Sequence, residues 1–130
     1  LLADRLLAAT DWLARHSATR GFRLGYFGAS TGAGAALQAA ARSPASVHAV
    51  VSRGGRPDLA APFLPQVTAP TLLIVGGEDI PVIQMNEEAL ALLTCPKKLV
   101  IVPGATHLFE EPGTLEQVAD LAKQWFVRHL

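Results

Sequence analysis

Apolar and polar positions along this chain switch between two periods, and each switch marks an element. Leu2, Leu6, Ala9 and Leu13 recur at helical spacing, with Asp4, Arg5, Asp11 and Arg15 mostly off that stripe. This predicts an amphipathic helix ending before Gly21. Short continuous apolar runs then read as buried strands: Phe22 to Phe27, Val47 to Ser52, Thr71 to Val75 and Lys98 to Val102. Gly32 to Arg42 is rich in alanine and glycine, reads as a helix able to approach strands closely, and is closed by Ser43-Pro44. A polar, glycine-rich loop, Arg53 to Asp58, leads into a proline-broken apolar segment to Pro65. A further helix, about Val82 to Leu93, is terminated by Cys95-Pro96. The last helix follows Pro112-Gly113, where Thr114 and Gln117 have capping-box spacing; Leu115, Val118, Leu121, Ala122, Trp125 and Phe126 mark its buried side. Strands alternating with helices predict right-handed crossovers and an α/β fold with a doubly wound, mostly parallel sheet, in one domain over 1–130.

Candidate chemistry gathers where three of these strands end. Gly28-Ala29-Ser30-Thr31-Gly32 lies at the junction of an apolar run and an alanine-rich helix, the setting of a nucleophile elbow. There a serine takes a strained backbone conformation, and glycines two residues away avoid clashes of a β-carbon with the adjacent strand or helix. Thr71 to Val75 runs into Gly76-Gly77-Glu78-Asp79, placing a carboxylate just past a buried strand. Leu99 to Val102 runs into Pro103-Gly104-Ala105-Thr106-His107. The order Ser, acid, His is the one an elbow serine requires. Catalytic groups collect at the carboxyl ends of strands in an open parallel sheet, so Ser30, Asp79 and His107 are expected to meet there. His107 would take the Ser30 proton, Asp79 would orient the imidazole, and the Thr31 backbone N–H would supply one oxyanion donor. Glu78 is the adjacent competitor for the acid.

The segments Gly28-x-Ser30-x-Gly32, Gly76-x-x-Asp79-x-x-Val82 and Gly104-x-x-His107 resemble the α/β-hydrolase superfamily, and within it the dienelactone-hydrolase-like proteins. The resemblance covers essentially the whole chain, but as the second half of that fold. It implies that strands preceding the elbow, and the loop bearing the second oxyanion donor, lie upstream of Leu1, so that this chain is expected to be a carboxyl-terminal fragment carrying one of the two oxyanion donors, with its activity alone left open. It also implies that an upstream segment or a second copy covers the free edge of the elbow strand. Dienelactone hydrolases proper carry cysteine in the elbow. This chain carries serine, so their lactone substrate does not transfer. The spacing from Gly76 to Val82 favours Asp79 over Glu78.

Composition narrows the classes. Hydrophobic residues make up 50% of the chain, charged residues 17%, and the formal charge is zero, which implies a well-filled core and neither a nucleic-acid nor an acidic-membrane partner. The single cysteine, Cys95, excludes an intrachain disulfide, and His16, His48, His107 and His129 lack metal-ligand spacing. No cofactor, a reducing cytoplasmic setting and a small acyl substrate are expected. No apolar run reaches the ~20 residues of a membrane span.

Each assignment has a plainer counterpart. Ser30 could cap the following helix, Asp79 could serve only its turn, and His107 could line a loop. His48 reads as structural, and His16 and His129 as cations near helix ends; Trp12 and Trp125 read as packing anchors. Arg53 and Arg56 leave a strand at the same rim as the triad, with a Gly-Gly pair whose N–H groups could turn toward a substrate anion. The alternative is an ordinary turn with Arg56 paired to Asp58. The leading functional expectation is a serine hydrolase cleaving a small ester, lactone or thioester. The competitor is a non-catalytic, hydrolase-derived domain that binds a ligand or partner and is appended to another enzyme; acyl transfer to an alcohol or amine is a third.

Overall fold

A computed structural model describes all 130 residues. Its elements are α1 (Leu2–Arg15), β1 (Gly25–Ala29), α2 (Thr31–Arg42), β2 (Ala49–Arg53), a 3-10 helix (Pro57–Gln66), β3 (Thr71–Gly76), α3 (Ile80–Leu92), β4 (Lys97–Val102) and α4 (Thr114–His129). The four strands pair in parallel in the order β1-β2-β3-β4. Helices on both faces leave a parallel strand no polar side to show, which is why β3 is buried along its whole length.

Alternation along the strands divides the core in two. Val50 and Leu73 point toward α1, α2, α3 and the 3-10 helix, where Ala36, Leu37, Leu64 and Ala89 complete one apolar layer. Val51, Leu72 and Ile74 point the other way, onto Val118, Ala122 and Trp125 of α4. The two outer strands differ from the inner ones. Lys97 and Lys98 are exposed on β4, a charged edge that discourages strand addition, whereas β1 exposes half of Phe27. No helix is long and apolar enough to cross a membrane.

Several boundaries differ from the sequence reading. β1 starts at Gly25 rather than Phe22, because its pairing with β2 begins at Gly25 opposite Ala49. Phe22 lies in the preceding turn, 75% exposed. β2 likewise starts at Ala49 rather than Val47; just before it, the Leu24 N–H donates to Nδ1 of His48 at 3.0 Å and the His48 N–H donates back to the Leu24 carbonyl at 2.8 Å. α1 stops at Arg15 and buries Ala3 and Thr10, while Leu2 and Ala9 face solvent. The Thr10 hydroxyl can enter the core because it bonds the Leu6 carbonyl at 2.8 Å and the Tyr26 hydroxyl at 2.6 Å. At α4 no capping box forms. Gly113, with φ of 81°, occupies the N-cap, the Thr114 hydroxyl donates instead to the Glu111 carbonyl at 2.8 Å, and Leu115 is exposed.

Candidate active site

The turn from β1 into α2 forces Ser30 into φ 53°, ψ −124°, a region that side chains avoid, at a cost of about 1–3 kcal/mol. Surrounding backbone holds it there. The Ser30 N–H donates to the Arg53 carbonyl at 3.2 Å, and the Ser30 carbonyl accepts from Ala33 at 3.1 Å and Arg56 at 3.0 Å. Gly28 is required by close approach: a β-carbon would sit 2.6 Å from the Gly32 carbonyl oxygen and 2.7 Å from Cα of Ala33. Gly28→Ala is therefore expected to destabilise the fold by about 2 kcal/mol, since backbone cannot move aside as a side chain can; a denaturant midpoint measures it. Gly32 departs from the expected pattern, because a β-carbon there meets nothing within 4 Å. That side of α2 faces an open groove beside β1, lined by Leu6, Leu13 and Phe27.

Ser30 occupies the N-cap position of α2 but makes no capping bond. Its Oγ lies 3.4 Å from Nε2 of His107, a long contact of the kind that tightens when substrate binds. Thr31 opens α2, where the helical ladder provides no acceptor for its N–H.

The acid and the histidine arrive on loops joined to each other. Gly76 brings the end of β3 so near the carbonyls of Ala105 and Thr106 that no β-carbon would fit. Beyond it, Gly77 N–H donates to the Val102 carbonyl at 2.8 Å and Glu78 N–H to the Ala105 carbonyl at 2.9 Å. Asp79 occupies the N-cap of α3 without a capping bond, and its Oδ2 lies 2.8 Å from Nδ1 of His107. Glu78 is turned to solvent. A carboxylate only accepts, so Nδ1 must be the donor, and the neutral ring then offers the Nε2 lone pair to Ser30. The Asp79 side chain is 14% exposed and that of His107 39%, so the acid is shielded while the base stays reachable. Gly54 provides the shelf: with φ of 52°, it packs against the imidazole, and a β-carbon there would lie 3.4 Å from the ring.

In the arginine loop the Gly54 N–H of the Gly-Gly pair donates to the Ile74 carbonyl at 2.7 Å, and the Arg56 N–H donates to the Ser30 carbonyl at 3.0 Å. The Arg56 side chain makes a two-pronged pair with Asp58, 3.0 Å from Nε and 2.9 Å from Nη2, which holds the Asp58 carboxyl below its usual range. Arg53 has no carboxylate partner; its guanidinium lies over the Phe109 ring, 5.5 Å from the centroid, with Nη1 3.4 Å from the Leu108 carbonyl.

His129 packs on Trp125 with ring centroids 4.3 Å apart, and loss of solvent, followed by the charge of Arg128, pushes the pKa of its imidazole below the ordinary value. His16 stacks on Trp12 at 4.5 Å. No three His, Cys, Asp or Glu side chains come together as a metal site. The largest cavity, about 340 Å³, is lined by residues such as Leu13, Arg20, Leu24 and His48 and includes none of the Ser30, Asp79 or His107 loops.

Contacts that reading along the chain missed are those between loops: Gly54 beneath His107, Asn86 donating from α3 to the Gly55 carbonyl at 3.2 Å, and Glu111 accepting from Thr106. No local pattern marks them.

Comparison with known proteins bears on the family and the fold. The chain superimposes on a dienelactone hydrolase from Anabaena variabilis with a TM-score of 0.97 and 63% identity, over 98% of this chain and 59% of that one. It also superimposes on a monoacylglycerol lipase from Paleococcus ferrophilus with a TM-score of 0.81; at 17% identity, over 98% of this chain and 76% of the other, that likeness speaks to the fold alone. A protein of Mycobacterium tuberculosis named "Putative phosphoribosyl transferase" is 62% identical over 130 residues, and this chain spans only 29% of its length. The sequence profile of the dienelactone hydrolase family matches residues 1–128. With the elbow, the parallel sheet and the near-complete match all in agreement, the chain belongs to the dienelactone hydrolase family.

Proposed function

We propose that this chain carries the reacting groups of a serine hydrolase that cleaves a small ester, lactone or thioester through an acyl-enzyme. The observation that carries the reading is the relay from Ser30 Oγ through His107 to Asp79, with contacts of 3.4 Å and 2.8 Å. A serine hydroxyl is a weak nucleophile until a base removes its proton. His107 Nε2 takes that proton as Oγ attacks the acyl carbon, and Asp79 stabilises the imidazolium. Collapse of the tetrahedral adduct breaks the bond to the leaving group, which receives the proton from Nε2. Water then attacks the acyl-Ser30 ester by the same relay, releasing the acid. The Thr31 N–H faces the developing oxyanion as one donor of a pair.

The test is labelling of the full-length protein with a fluorophosphonate, followed by mass mapping. A single adduct on Ser30, absent from Ser30→Ala, is expected; a protein that forms none is not a serine hydrolase. One observation favours a second reading, a binding domain without activity appended to another enzyme: the chain makes up under a third of its Mycobacterium tuberculosis relative. Absence of the adduct would point there.

Of the two loop arginines, Arg53 is the one available to an anionic acyl group. Arg56 is already neutralised by Asp58. Arg56→Ala is therefore expected to change KM for anionic and neutral esters alike, within about twofold, because an exposed ion pair contributes little. A selective rise for anionic esters would reassign Arg56 to substrate binding.

A further inference from the structure

His107 stands on a segment that neither helix nor strand holds, between the end of β4 at Val102 and the start of α4 at Thr114. Its neighbour Thr106 is nevertheless fastened at every polar group. The Thr106 N–H donates to one carboxylate oxygen of Glu111 at 3.0 Å, and the Thr106 hydroxyl donates to the other at 2.7 Å. The Thr106 carbonyl accepts from the Phe109 N–H at 3.1 Å, and Phe109 is 2% exposed with φ of 56°. Glu111 is itself anchored, because its carbonyl accepts from both the N–H of Thr114 at 3.1 Å and its hydroxyl at 2.8 Å, and Thr114 is buried at the root of α4. A continuous path of hydrogen bonds thus runs from the core-packed helix through Glu111 to the residue preceding the imidazole. The bonds from Thr106 hold the Glu111 carboxyl below its usual range, as expected for contacts made to the ionised form.

We infer that Glu111 is a positioning residue for His107: its carboxylate staples Thr106 to the start of α4, so that Nε2 is held at the Ser30 hydroxyl. The inference rests on the proposed Ser30–His107 relay. The relay has little slack, since its hydroxyl contact is already 3.4 Å, and an ångström of misplacement can cost about a hundredfold in rate. Without the carboxylate, two donors of Thr106 lose their acceptors; the Phe109 turn, the bonds of Ala105 to Glu78 and Val102, the Arg53 contact at Leu108 and the Asp79 bond to the imidazole remain, but none of them holds the Thr106 N–H or hydroxyl. Glu111 touches no reacting atom, so substrate affinity is not its concern.

The experiment measures para-nitrophenyl acetate hydrolysis and the rate of fluorophosphonate reaction at Ser30 in the full-length protein. Glu111→Ala should lower kcat and the labelling rate about ten- to a hundredfold, with KM within about twofold and the melting temperature within about 3 °C of wild type. Glu111→Gln keeps an oxygen acceptor for the Thr106 N–H, and should recover to within about threefold of wild type. Adding Thr106→Val to Glu111→Ala should cause no further loss, because both act through one contact. Amide exchange at Thr106 should quicken at least about tenfold in Glu111→Ala, an effect independent of turnover. A Glu111→Ala protein that labels at the wild-type rate overturns the inference alone; so do losses that multiply in the double variant. A wild-type protein with no Ser30 adduct overturns the hydrolase reading and this inference with it.

Discussion

Ser30→Ala is expected to lower kcat about a millionfold, the loss seen when a nucleophile acting as one unit with its base is removed. KM should change little, because the hydroxyl contributes through the transition state rather than through ground-state binding. The stability of the variant should match wild type. The Ser30 side chain makes no capping bond, its sole hydrogen-bond partner is His107, and the strained φ of 53° is the same burden for alanine as for serine. A progress curve and a melting curve on the same preparation check both halves. Retention of more than about a thousandth of the rate would mean that another group attacks the acyl carbon.

Asp79→Asn is expected to lower kcat about ten-thousandfold while leaving α3 in place. Asp79 makes no capping bond to its helix, so the loss would not come from unwinding the first turn. It would come from the imidazole: an amide has a donor where the carboxylate only accepts, so it can bind the ring in the wrong tautomer, and it carries no charge to stabilise the imidazolium. Single-turnover labelling at Ser30 should slow by a similar factor. Glu78→Gln serves as the comparison, since Glu78 is exposed and bonded only through its backbone; it should stay within about threefold of wild type. Equal losses in the two variants would assign the acid role to neither.

Much of the site's layout was legible along the chain because it is written in local chemistry. Continuous apolar runs bounded by glycine mark strands of a parallel sheet, and parallel strands deliver their following loops to one rim. Ser30, Asp79 and His107 each follow such a run, so their convergence could be argued before any coordinate. The demand for glycine at position 28 was likewise local, because the turn itself brings the Gly32 carbonyl and the Ala33 backbone against it.

The element boundaries and the buried stripe of α1 were read less well, for a different reason. Phe22 and Leu2 look like core residues by hydropathy, but what covers a side chain depends on pairing register and on the neighbouring helix. β1 pairs only from Gly25 onward, and α1 meets the core through Ala3, Leu6 and a threonine whose hydroxyl is satisfied by Tyr26. Hydropathy alone ranks that threonine below leucine.

By itself, then, the sequence determined the succession of elements, the parallel sheet, the strained elbow and which three loops would share a rim, because these follow from periodicity and turn chemistry within a few residues. The tertiary structure alone decided how closely Asp79 meets the imidazole, that Gly54 forms its shelf, that Arg56 is spoken for by Asp58 and that Glu111 ties down Thr106. Hydrogen bonds resolve differences of an ångström, and the bonds of the relay join residues 28 and 77 positions apart. No pattern along the chain carries distance at that scale; only the packed sheet sets it.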